Sequence, residues 1–371
     1  MKYYIIAGEA SGDLHASNLI AEIKNKDKKA EFRAWGGDLM RKQGATLVKH
    51  YRHMAFMGFV EVAANLRKVL GNIKECKADL LSYRPDVVIL VDYPGFNLRI
   101  AKFAHDNGMK VCYYISPQVW AWKQHRVKQI RQNVDKMLVI LPFEEPFYKD
   151  QGVDACFVGH PLLDELSKLD NTPRINFIHR NNLSEKREII ALLPGSRKQE
   201  VERMLETMLK VIPHFAQYQF VIAGVSSLDK ELYTRMIGDK DVRLVTNQTY
   251  ELLQNASAAL VTSGTATLET ALLSVPEVVC YKANRLSFMI ARNLVKVKYI
   301  SLVNLIMEKE VVKELIQDDF NETNLVNELE ILLKNSDKQR RLLDDLDQLK
   351  YRLGNSGASK NAAELIVGMV K

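Results

Sequence analysis

Cysteine is scarce in this chain, and its spacing excludes more than its number. The 371 residues hold four, at Cys76, Cys112, Cys156 and Cys280. No two form a C-x-x-C pair, so neither a zinc ribbon nor a disulfide framework is indicated. All four read as buried free thiols of a reducing compartment. No apolar run reaches the roughly 18–20 residues of a membrane span. From Met1 the chain runs straight into an apolar strand and a glycine loop, without the layout of a signal peptide. Short-period repeats and low-complexity segments are absent. Neither the Walker loop nor the G-x-G-x-x-G dinucleotide fingerprint occurs. The aromatic and basic motifs of RNA-binding modules are missing too, which argues against nucleic acid as a partner. A cytoplasmic protein is expected, with any membrane contact peripheral. No metal site and no cofactor are expected.

What remains is an ordinary globular balance, 47% hydrophobic and 26% charged. The length exceeds one ordinary core and suits two domains of about 150–200 residues. A formal net charge of +7 suits an anionic partner: a nucleotide, nucleic acid or an acidic membrane surface.

Short Val-, Ile- and Tyr-rich runs alternate with helical patterns. Tyr3–Ala7, Val87–Val91, Val111–Ile115 and Lys136–Ile140 read as buried parallel strands. Gly12–Lys24, Asn97–Asn107 and Val127–Val134 read as the helices between them. The rhythm pauses at Pro161, Pro173 and an Asn-Asn pair. It restarts with Glu188–Leu193, Gln219–Ala223, Arg243–Thr246, Ala258–Thr262 and Glu277–Tyr281. The fold class is therefore α/β, with two Rossmann-like, doubly wound parallel sheets in succession. We expect domains at residues 1–165 and 187–340, a linker at 166–186, and charged C-terminal helices at 341–371. Those helices could pack back on the first domain or exchange between protomers of a homodimer.

Two loops of the second domain are built to meet an anion. Pro194-Gly195-Ser196-Arg197 follows a strand and opens a helix. Its glycine admits close backbone approach, the helix start offers free N–H groups, and Arg197 can pair with phosphate. Ser263-Gly264-Thr265-Ala266-Thr267 does the same, with Glu269 one turn in to accept ribose hydroxyls. Each loop alone could be an ordinary strand–turn–helix. Two in one sheet point to a nucleotide diphosphate. The N-terminal loop Gly8-Glu9-Ala10-Ser11-Gly12-Asp13 carries two acids and suits sugar hydroxyls better than bare phosphate.

Together with Ser116-Pro117-Gln118-Val119-Trp120-Ala121-Trp122, these loops closely resemble the lipid-A-disaccharide synthase family. Leu141-Pro142-Phe143-Glu144, Val158-Gly159-His160-Pro161 and Tyr299–Leu305 extend the likeness along almost the whole chain. The resemblance implies a glycosyltransferase with an active site in the cleft between its two domains. It implies inverting transfer of 2,3-diacylglucosamine from UDP to 2,3-diacylglucosamine 1-phosphate (lipid X), at the cytoplasmic face of the inner membrane. It makes Asp92, at the end of Val87–Val91, the essential acid and general base. Some members carry a second acid where this chain has Gly95, which weakens any two-carboxylate mechanism.

Glu9, Asp13 and His15 are the alternative bases or acceptor contacts. Gly8, Ser11, Gly12, Ser116, Trp120 and Trp122 are expected on the acceptor side. Ser196, Arg197, Gly264, Thr265, Ala266, Thr267, Glu269 and Asn304 are expected on the donor side. His160 reads as a turn residue more readily than as a catalyst. Met54–Leu70, with Phe56 and Phe59, and the basic run Lys123, Arg126, Lys128, Arg131 suit an anionic lipid surface, or else a core helix and a solvated face. The alternatives are another UDP-sugar enzyme of this fold, such as a UDP-N-acetylglucosamine 2-epimerase or the peptidoglycan N-acetylglucosaminyltransferase, or a non-enzymatic nucleotide-binding protein.

Overall fold

A computed structural model describes residues 1–54, 66–122, 124–169, 174–284, 288 and 297–370. Phe56, Phe59, Lys123 and Pro173, which the sequence singles out, lie outside the described residues, as does the Trp122 side chain.

The chain divides into two compact units, Met1–Ser167 with Leu353–Lys371, and Lys168–Arg352. The first holds a seven-stranded parallel sheet: β1 Lys2–Ala7, β2 Glu31–Gly36, β3 Thr46–His50, β4 Val87–Val91, β5 Lys110–Tyr114, β6 Lys136–Val139 and β7 Ala155–Phe157. Their spatial order is β3-β2-β1-β4-β5-β6-β7. The second unit holds six: β8 Ile189–Leu193, β9 Gln219–Gly224, β10 Val242–Thr246, β11 Ala256–Thr262, β12 Glu277–Tyr281 and β13 Lys313–Ile316, in the order β10-β9-β8-β11-β12-β13.

Both sheets are doubly wound, and the composition of their central strands explains why. Every residue of Tyr3–Ala7 and Ile189–Leu193 is buried, so both faces need cover and neither strand can alternate with polar residues. Side chains leave alternately to opposite faces. Tyr4, Ile6, Val88 and Leu90 enter one core, while Tyr3, Ile5, Val87 and Ile89 enter the other. The second core is closed by the helix Ala10–Lys26 and by the C-terminal helix Ala358–Val370, through Ala362, Ala363, Ile366 and Val367. Asp164 anchors that last helix by accepting from the backbone N–H groups of Gly357, Ala358 and Ser359. The preceding helix, Ser336–Leu353, belongs almost wholly to the second unit.

Four strands escape a reading of apolar runs: β2, β3, β7 and β13. Glu31-Phe-Arg-Ala-Trp-Gly alternates charge with bulk, and its polar positions are used. Arg33 grips Asp79 with two nitrogens, and Trp35 donates from Nε1 to the Tyr4 hydroxyl at 2.7 Å. Cys76, Cys112 and Cys280 are buried free thiols, and Cys156 is a half-buried one. Among the described residues, no helix is long and apolar enough to cross a membrane.

Candidate active site

In an open parallel sheet, ligands gather beyond the carboxyl ends of the strands, where the winding reverses direction. The first sheet reverses between β1 and β4. Ala7 pairs with Val91, so Gly8 and Asp92 leave the sheet side by side. The second reverses between β8 and β11. Leu193 pairs with Val261, so the Pro194–Arg197 and Ser263–Thr267 loops also leave together.

In the first unit the backbone turns sharply at Asp92. Asp92 and Tyr93 both adopt left-handed conformations, with φ of 43° and 50°. Such residues cost about 1–3 kcal/mol each and persist only where surroundings hold them. Here the Asp92 carbonyl accepts from Asn97 Nδ2 at 2.7 Å and from the Tyr113 hydroxyl at 2.5 Å, while the Asp92 N–H donates to Ile115 O at 3.2 Å. The Tyr93 ring then lies over Gly8. A Cβ at residue 8 would sit 2.3 Å from Tyr93 Cγ, so only glycine fits. The Asp92 carboxyl is pushed up to about 6, first by burial and then by the negative charge of Glu9. Ser11 donates to Glu9 Oε1 at 2.9 Å, which holds that second acid at the start of its helix.

The loops after β5 and β6 are tied to each other. Glu144 is buried. It accepts from Trp120 Nε1 at 3.0 Å and from the Leu141 and Ile140 N–H groups at 3.1 and 3.3 Å. Burial pushes its carboxyl up to about 7. Ser116 Oγ pairs with the Tyr148 hydroxyl at 2.7 Å, and the Trp120 ring meets Phe143 edge-on. The tryptophan motif therefore has its position set from within the unit.

In the second unit, a cavity of about 390 Å³ is lined by Ser196, Arg197, Glu200, Gly264, Thr265 and Glu269, with Ala266 beside them. Gly195 has φ +108°, which only glycine adopts without strain. The helices Lys198–Met208 and Thr265–Leu272 begin at this cavity. The Glu269 carboxylate accepts from the Tyr250 hydroxyl at 2.9 Å and is raised by burial. Glu269 and Tyr250 also line an adjoining cavity of about 420 Å³ with Asn247 and Thr249. Among the described residues, no three His, Cys, Asp or Glu side chains converge as metal ligands.

The model of the family described as lipid-A-disaccharide synthetase matches residues 3–369. The chain is 41% identical to the lipid-A-disaccharide synthase of Syntrophus aciditrophicus, covering 99% of this chain and 97% of that one. It is 38% identical, with the same coverage, to that of Trichlorobacter lovleyi. The chain belongs to the lipid-A-disaccharide synthase family. It is a glycosyltransferase. Solved structures share the fold at low identity. The UDP-N-acetylglucosamine 2-epimerase of Neisseria meningitidis aligns with TM-score 0.71 at 13% identity, over 99% of this chain and 100% of that one. A glycosyltransferase of kitacinnamycin aligns with TM-score 0.67 at 15% identity, over 100% and 99%.

Within this member of the family, several residues singled out by sequence have other work. Asp13 is buried, and its carboxylate accepts the backbone N–H groups of Gly37, Leu39 and Met40 at 2.8, 3.1 and 3.1 Å. It caps the helix Asp38–Lys42, with both of its oxygens engaged by main-chain N–H groups. Asn304 is fully buried. Its Nδ2 donates to Val312 O and Glu314 Oε1, and its Oδ1 accepts from the Val311 and Val312 N–H groups. All four of its hydrogen-bonding positions are used to fold the approach to β13, and none is left for a donor sugar. Thr267 is buried and donates to Gly264 O at 2.8 Å, so it shapes the loop without lining the cavity. A Cβ on Gly12 would lie 3.2 Å from that of Ala7, so the glycine lets the helix sit close to β1.

His15 keeps a buried Nδ1 without a hydrogen-bond partner, and burial lowers its pKa. His160 is pushed down to about 3 by burial and caps the helix Pro161–Leu166 by accepting from the Leu162 N–H. Tyr93, Asn97, Tyr113, Glu144, Glu200 and Tyr250 went unnoticed as site-builders. Tyr113 sits within β5 and the other five lie two to seven residues beyond a strand end, positions that many residues share, and Glu144 stood out only as part of Leu141-Pro142-Phe143-Glu144.

Proposed function

We propose that the chain transfers 2,3-diacylglucosamine from UDP-2,3-diacylglucosamine to 2,3-diacylglucosamine 1-phosphate. Inversion at the anomeric carbon gives the β-1′,6-linked disaccharide 1-phosphate and UDP. The observation that carries this reading is the pairing of two switch-point sites of complementary chemistry. One holds a carboxyl raised to about 6 on a rigid turn, and the other holds two small-residue helix starts around Arg197. Family membership and the relatives' names supply the substrates.

In this reading Asp92 takes the proton from the acceptor 6-hydroxyl as its oxygen attacks the anomeric carbon in line. A base near neutrality is worth roughly 10²–10⁴-fold. UDP departs as the C–O bond to its β-phosphate breaks. Its growing charge is met by Arg197, the Ser196 and Arg197 N–H groups and the helix start at Gly264–Ala266. Glu269 holds the ribose. Glu9 and His15 lie beside the acceptor, with Ser116 and Trp120 shaping its wall. The first unit is the acceptor domain and the second the donor domain.

The lipid substrates call for work at an anionic membrane surface, at the cytoplasmic face of the inner membrane. The +7 charge and the Arg126, Lys128 and Arg131 cluster support that placement. The decisive assay gives the purified protein both lipid substrates and weighs the product. A tetraacyl disaccharide 1-phosphate should appear with one UDP per turnover. UDP release that ignores the acceptor would sink the reading. Flotation with phosphatidylglycerol liposomes tests the membrane surface, and loss of binding in Lys128→Glu/Arg131→Glu is expected.

A further inference from the structure

The donor loop already carries an anion of its own. Glu200 stands third in the helix Lys198–Met208 and lines the same cavity as Gly264 and Thr265. Its Oε2 accepts from the Ser196 N–H at 3.2 Å and the Arg197 N–H at 3.3 Å, and its Oε1 accepts from Arg197 Nη1 at 3.0 Å. A Cβ on Gly195 would lie 2.8 Å from Oε2, so the carboxylate rests directly over the glycine. These are the donors that the proposed function assigns to the diphosphate, and this inference rests on that reading.

We infer that Glu200 is an affinity-setting residue of the donor site, a resident carboxylate that the nucleotide phosphate must displace. A glutamate at the third helical position is a common cap. Capping alone explains the two N–H contacts. It does not require the second oxygen to occupy the guanidinium of Arg197 at the same time. With both oxygens engaged, the carboxylate presents the cradle with the charge and the paired-oxygen geometry of a phosphate. Binding the diphosphate then exchanges one anion for another. The loop keeps its shape, the net attraction for UDP is reduced, and product release is eased.

Glu200→Gln tests this without undoing the cap, because glutamine also serves at the third position. Titration calorimetry with UDP and with uridine is the measurement. The expected result is UDP affinity tighter by about fivefold or more, on the scale of one half-exposed charge pair, with uridine affinity unchanged. Glu200→Asp keeps the charge and should give no comparable gain. UDP should become a correspondingly stronger product inhibitor of Glu200→Gln. Unchanged or weaker UDP binding by Glu200→Gln, with Arg197→Ala losing UDP, would leave Glu200 a cap only. UDP affinity that Arg197→Ala does not alter would overturn the donor-site reading itself, and this inference with it.

Discussion

The side-chain amide of Asn97 donates to the main-chain carbonyl of Asp92 at 2.7 Å and to that of Val91 at 3.2 Å. One residue thus holds the turn on which the proposed base is carried. Asn97 is fully buried and acts on the backbone, leaving the carboxyl to the substrate. Asn97→Ala should lower kcat by about 10- to 100-fold through misplacement of Asp92. Stability should fall by about 1–3 kcal/mol as buried carbonyls lose their donor. UDP binding, which the proposed function assigns to the second unit, should stay within about twofold. Steady-state kinetics, urea melts and UDP calorimetry read the three effects separately.

The raised Asp92 carboxyl has consequences of definite sign. A base must be ionised, so kcat/KM should fall below an apparent pKa near 6. Asp92→Asn should abolish turnover and leave UDP binding nearly intact. Ionised Asp92 is disfavoured in the folded state. Its contribution to stability is therefore fully present below pH 4 and is lost as pH rises through 6. Asp92→Asn should consequently be more stable than the parent at pH 8, by about 1–3 kcal/mol after allowance for solvent screening. The advantage should vanish by about pH 4. Melts across that range check it, and a variant less stable at pH 8 would contradict the burial argument.

Asp13 and Asn304 should behave as structural residues. Asp13→Ala strands the backbone N–H groups of Gly37, Leu39 and Met40. Asn304→Ala strands the N–H groups of Val311 and Val312. Each should cost about 2–4 kcal/mol. Chemical denaturation measures this directly. Asp13→Asn keeps one acceptor oxygen and should recover part of the stability with substantial kcat, a result that a catalytic Asp13 would not allow.

These two residues mark where the sequence stops being legible. The central strands and the loops after β1, β4, β8 and β11 could be read because burial on both faces forces continuous apolar runs, and runs ending in glycine announce a turn. Glu31–Gly36 and Lys313–Ile316 could not, since their polar side chains are satisfied by partners in other elements, as Arg33 is by Asp79. Asp13, Asn304 and Thr267 look identical in sequence to ligand-binding residues. Only the fold shows that Asp13 accepts from amides 24 to 27 residues away. Glu144 and Glu200 were hidden by the converse: acids near loop ends are common, and what distinguishes these is the set of donors converging on them.

Tyr250 offers the sharpest test of the ribose side of the donor site. Its hydroxyl donates to Glu269 Oε1, and burial alone raises the Glu269 carboxyl against that bond. The bond therefore favours the ionised acid, which is the form that accepts two ribose hydroxyls. Tyr250→Phe keeps the ring that lines the adjoining cavity and removes only the donor. UDP affinity should weaken by about three- to tenfold, the worth of one hydrogen bond to a charged group. The loss should grow as pH falls, because Glu269 without its donor is protonated more readily. The 2′,3′-dideoxy analogue of UDP makes no ribose-hydroxyl contacts, so its weaker binding should be the same in both proteins. Equal weakening for UDP and for the analogue would assign Tyr250 to the base or the phosphates and remove Glu269 from the ribose.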